Sequence, residues 1–270
     1  MWPVLEQVLK VYARFPPKLY CPRVNPKVQL SLEAFNKYFR WPGRPVIIPF
    51  SSLASLGFGT RAVPMSELKS LYPLSEDAPP IAFVANGMSL NFSSAQFAQA
   101  IDSLSKDLPV SREQNLRNYP RNMLVPDTAL KHLGVDAPPF LRRGDMKPAT
   151  LWFGPTAANA NTEMHSDPGD NWACMITGAK QFSILAPTEY YALRPRCQSA
   201  DLDGLCYARE DSNNKITVTV NEGEMLYLPA GWFHAVHNIR PSVMVNYWSV
   251  SVAEQVGMLR GVSGLAHFAN

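Results

Sequence analysis

The sequence predicts a mainly β protein, a double-stranded β-helix or jelly roll with flanking helices, and three observations predict it. After Thr150 the chain falls into eight short apolar runs separated by turn residues, the pattern of strands that pair and close on one another. Its 24 prolines disfavour a helical bundle, because each removes a backbone donor and clashes inside a helix. Finally, His165-Ser-Asp167 sits in one of these runs and His234 in another. Residues i and i+2 of a strand share a face, so His165 and Asp167 can look into one cavity, beside which a closed barrel would bring His234.

The elements follow in order. Residues 1–30 begin with a short amphipathic segment and become proline-rich, which reads as an adapter lying over the main domain. From Ser31, a helix cap, apolar residues recur at helical spacing until Trp41-Pro-Gly stops them. Arg44 to Phe50 is a compact strand. Met65 to Leu71 and Ser93 to Leu108 are helical, the second with Phe97, Ala98, Ile101 and Leu104 on one face. A further short helix is expected near Thr128 to Leu133, in an otherwise irregular stretch. The eight strands are Leu151–Gly154, Thr162–Ser166, Trp172–Thr177, Gln181–Ala186, Ile216–Val220, Met225–Leu228, Phe233–His237 and Val243–Val250. Gly178-Ala179 and Asn221-Glu-Gly223 read as hairpin turns. The main domain is therefore expected over 31–250, with its barrel core at 150–250, followed by a helical segment at 251–270 that offers a homodimer face.

Composition sets bounds. Hydrophobic residues at 46% with 17% charged describe a globular chain with a real core, and a net charge of +3 permits an anionic partner without arguing for one. Cys21, Cys174, Cys197 and Cys206 form no C-x-x-C pair; Cys197 and Cys206 could bridge, but reduced thiols are the better expectation. No signal peptide and no bilayer-length apolar run is read, so the expected location is intracellular, cytoplasmic or nuclear, without membrane contact.

Two imidazoles and a carboxylate form the facial ligand set that grips ferrous iron while leaving positions open for substrate and oxygen. A catalytic zinc would need a separate general base that the sequence does not obviously supply. A lone histidine is usually an ordinary polar residue; three such groups in this context point to a metal.

The stretch His165-Ser-Asp-Pro-Gly-Asp-Asn-Trp-Ala-Cys-Met-Ile-Thr-Gly-Ala-Lys180, followed by Gly223-Glu-Met-Leu-Tyr-Leu-Pro-Ala-Gly-Trp-Phe-His234 and by Val245-Asn-Tyr-Trp248, resembles the JmjC domain. Within that family it is similar to the JmjC-only, cupin-like hydroxylases, over roughly residues 31 to 250. The resemblance implies iron held by His165, Asp167 and His234, with 2-oxoglutarate as cosubstrate and O2 as oxidant. It also implies that Lys180 binds the distal carboxylate of 2-oxoglutarate, which needs a cation inside an otherwise apolar barrel. Thr162 and Tyr119 match hydroxyls that help bind the same carboxylate, and Asn171 and Asn246 match amides lining the iron pocket. Ser166 stands where the family often has an aromatic residue, and a smaller side chain there is expected to widen the substrate entrance. Trp232 and Trp248 read as packing residues, and His237 falls outside the metal shell.

The resemblance implies an oxygenase that hydroxylates a protein side chain and releases succinate and CO2. RNA hydroxylation, methyl-lysine demethylation and a binding scaffold without catalysis are the alternatives.

Overall fold

The computed structural model describes residues 20–59, 63–71, 81–85, 88–106, 123–136, 138–141, 148–156, 161–167, 169–193, 196–197, 206–208 and 212–249. Tyr119, most of the adapter and the C-terminal segment 251–270 lie outside these residues. Twelve strands are described: β1 (Val46–Pro49), β2 (Ile81–Ala85), β3 (Met88–Phe92), β4 (Met123–Leu124), β5 (Thr150–Gly154), β6 (Thr162–Ser166), β7 (Asn171–Leu185), β8 (Arg196–Cys197), β9 (Cys206–Tyr207), β10 (Ile216–Asn221), β11 (Glu224–Leu228) and β12 (Phe233–Trp248).

The two long strands organise everything else. The first half of β7 and the second half of β12 pair inside one sheet, in the order β1-β11-β7-β12-β5-β4-β2-β3. Their other halves pair inside a second sheet, flanked by β10 on one side and by β6, β9 and β8 on the other. All these pairs are antiparallel, and two sheets folded over a common interior make the jelly-roll arrangement expected of a double-stranded β-helix.

The bend between sheets corrects the sequence reading. Gly178-Ala179 is not a hairpin turn: β7 runs through it as one strand, with Gly178 at φ 81°. A left-handed φ costs a residue with a Cβ, and here a Cβ would also overlap the Pro241 carbonyl oxygen. Opposite it, β12 shifts register between Asn238 and Met244, so the expected Phe233–His237 and Val243–Val250 strands are one strand with an irregular centre. Asn221-Glu-Gly223 is likewise a corner rather than a hairpin, because β10 and β11 each pair with a different half of β7. Its Glu222 carboxylate accepts from Thr177 Oγ1 and the Gly178 amide, and Glu222 N–H donates to the Gly178 carbonyl. A period-two pattern interrupted by glycine reads as two strands and a turn; the backbone instead uses the glycine as a bend.

Alternation along the strands separates two apolar layers. Trp172, Cys174, Tyr227, Val243, Val245 and Tyr247 face outward from the larger sheet, into a cluster shared with Phe35, Leu53, Leu68, Phe97 and Ile101. The sequence thus built its helices to cover that face. The helix Ser94–Ser105 is closed by a capping box between Ser93 and Gln96, and it buries Phe97, Ile101 and Leu104. The helix Leu32–Phe35, capped by the Ser31 hydroxyl, continues as a π-turn over Asn36–Arg40 and stacks Phe35 on Phe140 at 4.3 Å. Ala173, Met175, Phe182, Ile184, Val236 and Met244 line the interior. The inward residues on β7 are odd-numbered before Gly178 and even-numbered after it, so the bend also switches face. Among the described residues, no helix is long and apolar enough to cross a membrane.

Candidate metal centre

β6 and β12 lie side by side with His165 opposite His234, so both imidazoles project from one face of the sheet. Their ring centroids are 4.2 Å apart. Asp167 follows one residue beyond the end of β6. Its Oδ1 is 3.9 Å from His165 Nε2, its Oδ2 is 3.7 Å from His234 Nε2, and one ligand atom from each of the three lies within 4.8 Å of the others. All three side chains are buried.

Each imidazole is oriented by the backbone carbonyl two residues before it. His165 Nδ1 faces the Glu163 carbonyl at 2.8 Å, and His234 Nδ1 faces the Trp232 carbonyl at 3.3 Å. A carbonyl only accepts, so Nδ1 carries the proton and Nε2 presents its lone pair to the shared space. Burial holds the His234 pKa down to about 4, helped by the neighbouring His165 and opposed by Asp167. Burial pushes the Asp167 carboxyl up, but His234, His165 and the hydrogen bonds of Trp248 and Asn171 outweigh it, and its net direction is down. A neutral imidazole beside an ionised carboxylate is the protonation state a metal requires.

Asp167 is itself held. Asn171 Nδ2 donates to Asp167 Oδ2 at 3.1 Å, Trp248 Nε1 donates to the same oxygen at 3.2 Å, and Asn246 Nδ2 donates to Asn171 Oδ1 at 2.8 Å. The register explains the convergence, since Trp248 stands opposite Asn171 and Asn246 opposite Ala173. Asn171 and Asn246 therefore reach the site as an orienting chain. Trp248, expected as a packing residue, is a donor to the carboxylate. The signal was available: two residues beyond Asn246, it shares that residue's face.

Lys180 is 3% exposed and stands opposite Asn238, two residues along from Phe182 and Val236 on the interior wall. Thr162, half-buried, stands opposite Val236 on the same wall. Tyr119 lies outside the described residues. His237 is on the opposite face of β12 from His234, and His132 pairs with Glu67 at the surface. Trp232 is fully buried and donates to the Gly43 carbonyl, a packing role. Ser166 does not widen an entrance: it is fully buried and in register with Phe233, on the far side of β6 from His165.

The donor set, two nitrogens and one carboxylate oxygen converging from one side, fits ferrous iron with positions left open. Asn246 Oδ1 is buried without a hydrogen-bond donor, and a buried ammonium sits on the same inner wall. An anionic chelating cosubstrate with a distal carboxylate fits the cation.

The sequence profile described as cupin-like domain matches residues 75–252. Curated relatives include the lysine-specific demethylase JMJ30 of Arabidopsis thaliana, 26% identical over an alignment of 258 residues that covers 87% of this chain and 57% of the relative. Human 2-oxoglutarate and iron-dependent oxygenase JMJD4 is 28% identical over 86 residues, 28% of this chain and 21% of its own. Human bifunctional peptidase and (3S)-lysyl hydroxylase JMJD7 is 27% identical over 128 residues, 36% and 40% of the two chains. The match spans little more than half the length of the first of these relatives and less of the others.

Proposed function

The chain belongs to the cupin-like domain family, and on that premise we propose that it is an Fe(II)- and 2-oxoglutarate-dependent oxygenase that hydroxylates a protein side chain. The observation that carries the reading is the placement of His165, Asp167 and His234 around one point, with buried Lys180 on the same inner wall. His165 and His234 through Nε2, and Asp167 through a carboxylate oxygen, would hold the iron. Lys180 would pair with the distal carboxylate of 2-oxoglutarate, with Thr162 donating its hydroxyl to the same group and Tyr119 assigned there by resemblance alone. Asn171, Asn246 and Trp248 fix the Asp167 carboxylate.

When bound, iron and 2-oxoglutarate supply oxygen activation, the keto acid leaving as succinate and CO2 while a substrate C–H gains a hydroxyl. The protein's own part is to hold three ligands in one geometry, neutralise the cosubstrate's far end and keep the cavity apolar through Phe182, Ile184, Val236 and Met244. Relatives named for lysyl hydroxylation and for lysine-specific demethylation support a protein side chain as substrate class. Demethylation is the second reading, favoured by the name of the relative aligned over most of this chain and by the same chemistry acting at an N-methyl carbon.

The test is mass spectrometry of peptide and tRNA substrates after incubation with Fe(II), ascorbate and 2-oxoglutarate. Gain of one oxygen on a peptide supports the proposal. Loss of a methyl group transfers the assignment to demethylation, and a modified tRNA moves the substrate class to RNA. Retained succinate production in an Asp167→Ala/His234→Ala double variant would refute the assignment of the site.

A further inference from the structure

Asp170 is a second buried carboxylate in the molecule's working region, three residues past Asp167, and the metal geometry does not use it directly. It is 2% exposed. Its Oδ2 accepts from the Tyr227 hydroxyl at 3.0 Å and its Oδ1 from the Ala230 amide at 3.0 Å. Its backbone is engaged as well: the Asp170 amide donates to Ser249 Oγ at 3.2 Å, and its carbonyl accepts from the Ser249 amide at 3.1 Å. A charged group is taken out of water only at a cost, and here two donors, the Tyr227 hydroxyl and the Ala230 amide, offset it.

The second of these donors stands just ahead of a ligand. Ala230 belongs to the Pro229–Trp232 turn that launches β12, and His234 lies four residues beyond Ala230. In that turn the Gly231 amide donates to the Asp167 carbonyl at 3.0 Å, and Gly231 has φ 82°. The turn ahead of His234 is thus fastened at two points, to the Asp167 backbone and to the Asp170 side chain. Tyr227 anchors the fastening to the core, its ring lying 4.5 Å from Trp172 and 5.0 Å from Phe35. Gly169 leaves the room for it, since a Cβ there would stand 2.5 Å from the Ser249 carbonyl oxygen.

We propose that Asp170 is a positioning residue of the metal centre: its carboxylate locks the turn before His234 onto the loop behind Asp167 and so sets the separation of those two ligands. The inference rests on the reading of the triad as a metal site. Groups that orient metal ligands, once altered, typically reduce metal affinity by about 10–100-fold.

The test uses the full chain and Co(II), whose visible absorption reports ligand geometry. Affinity is measured by calorimetry for the wild type, Asp170→Asn, which keeps the side-chain shape, and Tyr227→Phe, which keeps the ring. Melting of the metal-free proteins is followed in parallel. The expected result is Co(II) binding weakened about tenfold or more in Asp170→Asn, a smaller loss in Tyr227→Phe, and a shifted absorption band in both. If Asp170→Asn does not fold, Tyr227→Phe decides by affinity and band position. Wild-type affinity with an unshifted band in the folded variants overturns the positioning role while leaving the metal site standing. A wild-type protein that binds no Co(II) overturns the metal reading itself, and this inference with it.

Discussion

The Trp248 indole donates to Asp167 Oδ2 at 3.2 Å, from the last residue of β12 to a side chain that precedes β7. With Asn171 on the same oxygen, two donors fix the plane of the carboxylate and leave Oδ1 for a metal. Trp248→Phe keeps an aromatic ring against Trp152 and removes only the donor. Mn(II) affinity should fall about 10–100-fold by calorimetry with little change in melting temperature. Unchanged affinity would show that this hydrogen bond does not orient the ligand.

Replacing Lys180 tests the proposed cosubstrate site apart from the metal site. In Lys180→Met the chain keeps its length and loses its charge, so Mn(II) affinity should stay at the wild-type value. The apparent KM for 2-oxoglutarate should rise roughly 10–100-fold, the size of one lost hydrogen bond to a charged group. An unaltered KM would remove Lys180 from the cosubstrate site.

Gly178 tests the bend. Gly178→Ala places a Cβ at φ 81° against the Pro241 carbonyl and 2.7 Å from Ser242 Cα. Neither neighbour is a flexible side-chain end, so the backbone must move. A loss of at least about 2 kcal/mol is expected in denaturant titration. A stability equal to the wild type would mean that the strand bends without needing glycine.

The acid side of the stability profile follows from His234. Its folded pKa of about 4 lies below the ordinary 6.5, because burial disfavours the imidazolium first and His165 second. Between those values the unfolded chain takes up a proton that the folded protein refuses, so stability rises with pH across the window. Asp167, also held below its ordinary value, works in the same direction: its contribution is present at neutral pH and is lost as pH falls through the folded value. The melting temperature of metal-free protein should therefore climb from about pH 4 to about 6.5 and level off above, and His234→Gln should flatten the climb. An undiminished slope in that variant would contradict the assignment.

Much of this was legible in the sequence, and the failures have physical causes. Alternation placed His165 and Asp167 in one neighbourhood, and motif context tied them to His234. The strand Thr162–Ser166 was read with its observed limits. The Ser31 cap was legible because its hydroxyl does local chemistry, whereas Ser93, expected inside the next helix, is its cap. What failed was non-local. Whether Gly178 turns or bends a strand depends on Pro241, 63 residues away, and the Asn221–Gly223 corner depends on which half of β7 each flank finds. The strands Ile81–Ala85 and Met88–Phe92 were not read, nor were β4, β8 and β9, which are two residues each. Residue type alone makes Trp248 a packing residue; its parity with Asn246 places it at the site. The sequence does not reveal the partners of Asp170, since Tyr227 and Ala230 meet it only by tertiary contact.

β7 and β12 each run through both sheets, so the two halves share their central strands. Neither half can be lifted away without breaking a strand that the other half is built on. Local breathing wide enough to free one imidazole must therefore tug on the whole wall, and loss of the ion should track global melting rather than precede it.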